Sequence, residues 1–275
     1  KLEMQKMAVE VRKNLLIGLH AAKAGHPGGS LSAADLFTYL YFEEMNVDPK
    51  DPQWADRDRF VLSKGHTAPG LYAALALKGY FPVEDMVTLR KLGSYLQGHP
   101  CMQYTPGIDM SSGSLGQGIS AAVGMAMSAK MDGKAYRTYT LLGDGEIEEG
   151  QVWEAAMFAS HQKIDNLIAM IDWNGQQIDG KIDDVAGVGD LEAKWKAFGW
   201  NTVVADGHDF GEILGAYKKA DEACGNGKPT VILFRSDMGH GVDFMAGTHK
   251  WHGKAPSAEQ CEAALAQLEE TLGDF

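Results

Sequence analysis

The residues with the clearest chemical potential are Asp144, which lies between Gly143 and Gly145, and Asn174, which follows 30 positions after Asp144. An apolar run over residues 139–142 predicts a buried strand that ends at this aspartate, and a run over 167–171 predicts a second strand that ends near Asn174. Neighbouring parallel strands bring such ends to one edge of a sheet, where open α/β sheets bind ligands. Carboxylate and amide oxygens suit Mg2+ or Ca2+. The pair therefore predicts a cation site that would also hold a diphosphate.

The glycine turn has competing interpretations. The dinucleotide pattern G-x-G-x-x-G fails because Glu148 stands where its last glycine belongs, and no G-x-x-x-x-G-K-[ST] occurs in the chain. An acidic residue between the glycines would repel a bare phosphate, whereas it would accept one that is bridged by a metal. Taken alone, the segment also fits a strand-to-helix turn that binds nothing.

The surrounding motifs resemble those of the transketolase family. The Gly-Asp-Gly turn followed by Asn174 matches the thiamine-diphosphate motif, and the resemblance extends from about Val11 to about Gly253. The part of a transketolase that this sequence resembles is the amino-terminal, diphosphate-binding part. The other matching segments are Gly25-His26-Pro27-Gly28-Gly29-Ser30, Leu62-Ser63-Lys64-Gly65-His66, Gly98-His99-Pro100, Gly113-Ser114-Leu115-Gly116-Gln117-Gly118 and His249-Lys250-Trp251-His252-Gly253.

This resemblance implies thiamine diphosphate as cofactor, with Mg2+ (or Ca2+ or Mn2+) as its metal. The implied metal ligands are the side chains of Asp144 and Asn174 and the backbone oxygen of Gln176. The family usually has an apolar residue at position 176, and a backbone ligand tolerates that difference. The residues implied to bind the cofactor are His66, Gly113, Ser114, Leu115, Gly143, Asp144, Gly145, Glu149, Asn174, Ile178 and His252.

The resemblance also implies catalytic roles for three histidines and one glutamate. His99 matches the residue beside the C1 hydroxyl of the ketose donor. His26 and His252 match residues that transfer protons to and from sugar hydroxyls, work that suits an imidazole. Glu149 matches a carboxylate near the subunit interface. The alternative interpretation is that Glu149 is an ordinary solvated glutamate in the first turn of a helix, where the helix dipole favours an acidic side chain. For each histidine the alternative is an ordinary loop-bracing role.

The remaining histidines carry no motif. A zinc site formed by His240, His249 and His252 is disfavoured because their spacing does not resemble a helix-borne pair and no cysteine lies nearby. His20, His161 and His208 are interpreted as structural.

Composition limits the possible partners and surroundings. The 275 residues carry 25 basic and 37 acidic side chains, a net charge of −12, without a basic block, which disfavours nucleic acid and anionic membranes. No apolar run reaches the ~18 residues of a membrane span. Three cysteines without C-x-x-C spacing disfavour a disulfide scaffold and a zinc ribbon, and favour a cytoplasmic location.

The elements that must position these residues alternate between strand and helix. The patterns predict an α/β fold, a doubly wound parallel sheet flanked by helices, and one diphosphate-binding domain over residues 1–275. Strands are expected at 59–62, 139–142, 167–171, 202–205 and 230–234. Helices are expected up to about 24, at 33–44, 69–77, 116–131, 148–156, 191–198, 211–224 and 258–272. Residues 25–29 and 92–112 are expected to be loops.

The pyrimidine-binding and carboxyl-terminal domains of single-chain transketolases have no counterpart in this sequence. We therefore expect either one subunit of a split transketolase, in an α2β2 assembly with a chain that carries the pyrimidine-binding domain, or a fragment. The expected reaction transfers a two-carbon ketol unit from a ketose phosphate, or a sulfonated sugar, to an aldose phosphate. A non-catalytic thiamine-diphosphate-binding paralogue and a deoxyxylulose-phosphate synthase are the alternatives.

Overall fold

A five-stranded parallel sheet forms the centre of the protein. The computed structural model describes residues 1–270, and all pairings in this sheet are parallel, in the order β1-β2-β3-β7-β6. A two-stranded antiparallel hairpin, β4-β5, follows β3. The strands are β1 (Arg59–Leu62), β2 (Thr138–Gly143), β3 (Leu167–Trp173), β4 (Gln176–Gln177), β5 (Gly180–Lys181), β6 (Asn201–Asp206) and β7 (Thr230–Arg235).

Helices cover both faces of the sheet. Short 3-10 turns lie at Gly65–Thr67, Val83–Thr88, Glu146–Glu148 and His249–Trp251, and a π-helical turn lies at Leu40–Glu44. The α-helices are α1 (Leu2–Ala22), α2 (Pro27–Ser32), α3 (Ala34–Tyr39), α4 (Ala68–Lys78), α5 (Gly118–Met131), α6 (Gly150–His161), α7 (Ile182–Val185), α8 (Leu191–Ala197), α9 (Phe210–Ala223) and α10 (Ala258–Glu270). Among the described residues no helix is both long and apolar enough to cross a membrane.

The central strands are buried on both faces, which explains their continuous apolar sequences. In β3, Ile168 and Met170 pack into a core with α1, α3, α4 and α9. Leu167, Ala169 and Ile171 point the other way, into a core with α5, α6 and α8. Alternate residues therefore serve opposite layers, as the period of a strand requires. The doubly wound parallel sheet predicted from the sequence is confirmed.

The prediction of a loop at residues 25–29 is wrong in part, because Pro27, Gly28 and Gly29 open helix α2. Proline is favoured in a first helical turn, where its missing N–H has no partner to lose. The glycines allow close packing instead of a loop: a Cβ at Gly28 would lie 2.7 Å from Met238 Cγ, and one at Gly29 would lie 2.8 Å from Thr67 Cγ2.

Other boundaries also differ from the sequence-based expectation. The helix expected at 148–156 is α6, which begins at Gly150 after the 3-10 turn, because Glu149 has extended dihedrals (φ −70°, ψ 127°). The helix expected at 33–44 changes to π-helical geometry at Leu40. The β4-β5 hairpin was not predicted. The expected end of the last helix, Leu272, lies outside the described residues.

Two glycines of α5 allow a matched test of close packing. A Cβ at Gly118 would lie 2.6 Å from the Cα of Ser63, whereas a Cβ at Gly124 meets no atom within 4 Å. We expect Gly118→Ala to destabilise the chain by about 1–3 kcal/mol through overpacking. Gly124→Ala should instead stabilise it by about 0.5–1 kcal/mol, since alanine loses less backbone entropy in a helix. Urea unfolding of both variants measures the difference, and equal effects would contradict it.

Candidate functional site

The carboxyl ends of β2 and β3 bring the predicted metal ligands together. Gly143 pairs with Asp172 in the sheet, so the turn after β2 lies beside the segment after β3. The backbone N–H of Gly175 donates to Asp144 Oδ2 at 2.5 Å, and that of Gly145 donates to Asp144 Oδ1 at 2.9 Å. The backbone N–H of Gln176 donates to Asn174 Oδ1 at 3.0 Å. A carboxylate, an amide oxygen and the backbone of β4 therefore share one end of the sheet.

The electrostatics of this corner fit a cation. Asp144 is 1% exposed. Its burial, together with the negative charge of Asp172, raises the pKa of its carboxyl group to about 7, although Lys64 and two backbone N–H groups oppose the shift. A bound divalent ion would supply the missing positive charge, and oxygen atoms are the ligands that Mg2+ prefers. The donor atoms and the charge of the site thus suit a metal-bridged diphosphate.

Two residues beneath the metal ligands were not identified from the sequence. Asp172, at the end of β3, forms a buried ion pair with Lys64, the residue before the 3-10 turn at Gly65. Burial alone would raise the pKa of Asp172, but Lys64 and hydroxyl donors lower it below its usual value. Lys64 lies in the segment that carries the family resemblance. Its contact with Asp172 could not be foreseen, because 108 positions separate the two.

A third buried carboxylate joins the turn after β2 to the glycine-rich loop before α5. Glu146 Oε1 accepts hydrogen bonds from Ser63 Oγ at 2.5 Å and from the Gly116 N–H at 2.9 Å. Glu146 Oε2 accepts from the Gly143 N–H at 3.1 Å. This glutamate was also missed, and it fixes the distance between two predicted cofactor-binding segments.

The predicted residues line one solvent-open cleft of about 710 Å³. The cleft floor contains Gly29, Lys64 and Glu146, and Ile178 lies at 60% exposure on its wall. Glu149, the residue before α6, is exposed and also lines the cleft. The predicted residues that line it are His66, Leu115, Gly143, Asp144, Gly145, Glu149, Asn174, Gln176, Ile178 and His252.

The other four predicted residues lie beside this cleft rather than on its wall. His26 and His99 belong to the histidine cluster described below. Gly113 packs on His99, since a Cβ at Gly113 would lie 3.3 Å from His99 Cγ. Ser114 is exposed and lines a neighbouring depression with Gln117.

Four predicted histidines form a cluster next to the cleft. The ring of His26 lies 5.1 Å from that of His66, 5.7 Å from that of His252 and 6.4 Å from that of His99. The rings of His66 and His252 stack with their centroids 5.0 Å apart. His66 belongs to a 3-10 turn and His26 caps α2, so ordered elements position both rings. The structure therefore brings together residues that are up to 226 positions apart in the chain.

These imidazoles are held neutral. Burial, and then the charges of His252, Arg90 and His99, lower the pKa of His26 to about 4. Burial and the charge of Lys64 lower the pKa of His252 to about 4, and burial lowers the pKa values of His66 and His99 as well. In the part of the chain that the structure describes, the Nδ1 atoms of His26 and His252 are buried without a hydrogen-bond partner. These two atoms therefore have hydrogen-bonding capacity that the described part of the chain does not use.

His208 and His240 belong to a separate buried cluster. Within residues 1–270, Asp35, His208 and His240 are the group of His, Cys, Asp and Glu side chains close enough to share a metal. Both guanidinium nitrogens of Arg12 donate to Asp35, and the Asp237 N–H donates to His208 Nε2 at 3.0 Å. Arg12 occupies the position of a cation, so this cluster is an ion-pair network. His240, His249 and His252 do not form such a group among the described residues.

The fold and the site define an α/β protein that carries a cation and diphosphate cleft beside a histidine cluster. The chain matches the family described as Transketolase, thiamine diphosphate binding domain, over residues 4–273. It therefore belongs to this family, and the resemblance inferred from the motifs is confirmed.

Two relatives match the chain over nearly their full length. The chain is 47% identical to the 6-deoxy-6-sulfo-D-fructose transketolase subunit SqwG of Clostridium sp. (strain MSTE9), over 98% of this chain and 97% of that protein. It is 43% identical to a protein of Phocaeicola vulgatus that is named as an apulose-4-phosphate transketolase subunit, over 95% of this chain and 92% of that protein.

Solved transketolases share the fold. A transketolase variant from Pichia stipitis superposes with a TM-score of 0.91 at 36% identity, covering 99% of this chain and 41% of that chain. The transketolase from Leishmania mexicana gives 0.90 at 31% identity, covering 98% and 41%. This chain thus spans about two-fifths of each of these solved chains.

The histidine cluster makes stability depend on pH. The pKa values of His26 and His252 are about 4 in the folded chain, against a usual value of 6.5. Between these values the unfolded chain binds more protons, so stability falls as the pH falls from about 6.5 to 4. After allowance for solvent screening, we expect each histidine to contribute on the order of 1 kcal/mol to this loss. Urea unfolding of His26→Gln and His252→Gln between pH 4 and 7.5 should show a flatter dependence.

His161 provides the control for this pH experiment. It is exposed at the end of α6, so His161→Gln should keep the dependence of the unmodified chain. An equal slope in all three variants would show that the cluster does not cause the acid sensitivity.

Proposed function

We propose that this chain is the amino-terminal subunit of a two-subunit transketolase, which transfers a two-carbon ketol unit from a ketose to an aldose. The observation that carries the proposal is the convergence of Asp144 and the segment 174–176 on one cleft beside four neutral histidines. The nearly full-length match to relatives named as transketolase subunits supports it. A non-catalytic paralogue would have no need to keep both parts of this site.

In this proposal, Asp144, Asn174 and the backbone oxygen of Gln176 would hold Mg2+, which would neutralise the charge of the cofactor's diphosphate. His66 and His252 donate hydrogen bonds to the diphosphate end. Gly143 and Gly145 permit close approach of the backbone, while Gly113, Ser114, Leu115 and Ile178 contact the rest of the cofactor. When bound, thiamine diphosphate supplies the nucleophilic carbon chemistry that cleaves a bond next to a ketone.

The histidines act on the sugar. A neutral imidazole can accept a proton at one nitrogen while the other nitrogen donates. The neutral imidazoles of His26 and His252 suit proton transfer with sugar hydroxyls during cleavage and formation of the C–C bond. His99 is exposed beside Gly113, where it can hydrogen-bond the C1 hydroxyl of the donor. Glu149, exposed at the start of α6, shares a proton network with the partner.

The partner in this proposal is a chain that carries the pyrimidine-binding domain, in an α2β2 assembly. The relatives' names support a partner because they denote subunits. Those names also point to a sulfonated ketose or a ketose phosphate as a substrate. In this proposal that sugar is the donor, and an aldose phosphate is the acceptor. A reducing, cytoplasmic location is part of the proposal, supported by the three free cysteines.

Reconstitution tests the function. The purified chain with thiamine diphosphate, Mg2+ and ketose and aldose phosphates, or the sulfonated ketose as donor, should show no ketol transfer. Co-expression with the product of the neighbouring open reading frame should give transfer, measured by chromatography of the product sugars. The matched control is the same complex with His99→Ala, which should lower kcat/KM for the donor and leave cofactor affinity unchanged. Turnover by the chain alone would refute the two-subunit proposal.

Alanine substitutions distinguish the proposed side-chain ligands of the metal from the proposed backbone ligand. Asp144→Ala and Asn174→Ala each remove one oxygen ligand and should weaken Mg2+-dependent binding of thiamine diphosphate by about 100-fold or more. Gln176→Ala keeps the backbone oxygen and should bind normally, as should Gln177→Ala, whose side chain lies in the same cleft. Calorimetric titration of the assembled complex that contains each variant, with thiamine diphosphate and Mg2+, gives the affinities. Unchanged binding by Asp144→Ala, or a large loss in Gln176→Ala, would contradict this ligand set.

A further inference from the structure

Asp172 joins four segments of the chain at the base of the cleft. It is 0% exposed at the end of β3. Its Oδ2 atom accepts hydrogen bonds from Ser32 Oγ at 2.6 Å, from Asn174 Nδ2 at 3.0 Å and from Lys64 Nζ, and its Oδ1 atom accepts from Ser236 Oγ. These donors come from α2, from the segment after β1, from the segment after β3 and from the loop after β7.

The contact with Asn174 determines which way its amide faces. A carboxylate accepts hydrogen bonds and cannot donate one, so only the NH2 group of Asn174 can face Asp172. The amide oxygen must then point to the opposite side, where the Gln176 N–H meets it at 3.0 Å. That oxygen is the atom which the proposed cation requires.

Asp172 also holds the turn that carries the second ligand. Its backbone oxygen accepts a hydrogen bond from the Asp144 N–H at 3.3 Å. This backbone contact places Asp172 directly beside the Asp144 turn, whereas the Asp172 carboxylate acts on Asn174.

Lys64, on the floor of the cleft, is the counter-charge of this carboxylate. Its ammonium group is buried between Asp172 and the backbone oxygen of Gly29, which lies at 3.4 Å. With this counter-charge below it, Asp172 stays an acceptor-only group. Replacement of either partner would leave the other buried without its opposite charge, which is costly.

We propose that Asp172, together with Lys64, is a positioning residue for the cation site: its carboxylate orients the Asn174 amide oxygen toward the metal. This inference rests on the proposed function. Groups that orient metal ligands typically contribute 10–100-fold to metal affinity. A purely structural ion pair would instead affect folding and leave the metal affinity of the folded chain unchanged.

Asp172→Asn tests this role because asparagine has the same shape but can present either an oxygen or an NH2 group to Asn174. We measure Mg2+ half-saturation at fixed thiamine diphosphate, by calorimetry on the complex co-expressed with the product of the neighbouring open reading frame, and unfolding of the purified chain by urea. We expect Mg2+ half-saturation to rise 10–100-fold. Asp109→Asn is the control, since Asp109 is a buried carboxylate paired with Arg57. It should lower stability and leave half-saturation unchanged.

A milder pair of variants covers the case in which Asp172→Asn does not fold. Ser236→Ala removes one donor from Asp172 and leaves its charge, and it should raise Mg2+ half-saturation several-fold. Thr38→Ala removes a buried hydroxyl from α3, remote from the cleft, and should not change it. Wild-type half-saturation in folded Asp172→Asn or Ser236→Ala would overturn the positioning role. If the unmodified complex with its partner bound no thiamine diphosphate with Mg2+, the proposed function itself would fail, and the positioning role with it.

Discussion

The parallel pairing of β2 with β3 is the constraint on which the rest of the site depends. Its register sets Gly143 beside Asp172, so that Asp144 and Asn174 leave the sheet at the same level. A slip of one residue would send alternate side chains to the opposite layer, exchanging Ile168 and Met170 with their neighbours in two different cores. Packing on both faces therefore protects the geometry of the ligands.

The charges beneath the cleft explain why the site suits a cation. Asp144, Glu146 and Asp172 are buried carboxylates in this corner, and Lys64 is the buried basic side chain among them. Lys64 is committed to Asp172, so Asp144 is left with a raised pKa and with backbone N–H groups as its partners. A divalent ion bound there would offset the electrostatic repulsion among these buried carboxylates. The net charge of −12 shows that attraction of an anionic cofactor must be local.

Local patterns predicted much of this architecture. The apolar runs at 139–142 and 167–171 fell within strands, and the motifs identified Asp144, Asn174 and the four histidines that the fold brings together. The roles of Asp172 and Glu146 were not predictable, because their partners are distant in sequence: Ser32 lies 140 positions from Asp172, and Ser63 lies 83 from Glu146. Helix α2 was missed because its glycines serve close packing, which only the tertiary structure reveals.

The cleft and the histidine cluster suit chemically different parts of a ligand. The cleft floor combines carboxylates, backbone N–H groups and Lys64, which suits a diphosphate that arrives with its cation. The cluster holds imidazoles that are neutral near pH 7, which suits uncharged hydroxyl groups. His66 and His252 line the cleft and also stack within the cluster, so they join the two regions. A charged cofactor end and a polyhydroxylated substrate would therefore meet at these two rings, where a neutral imidazole can accept a hydroxyl proton and return it later in the reaction.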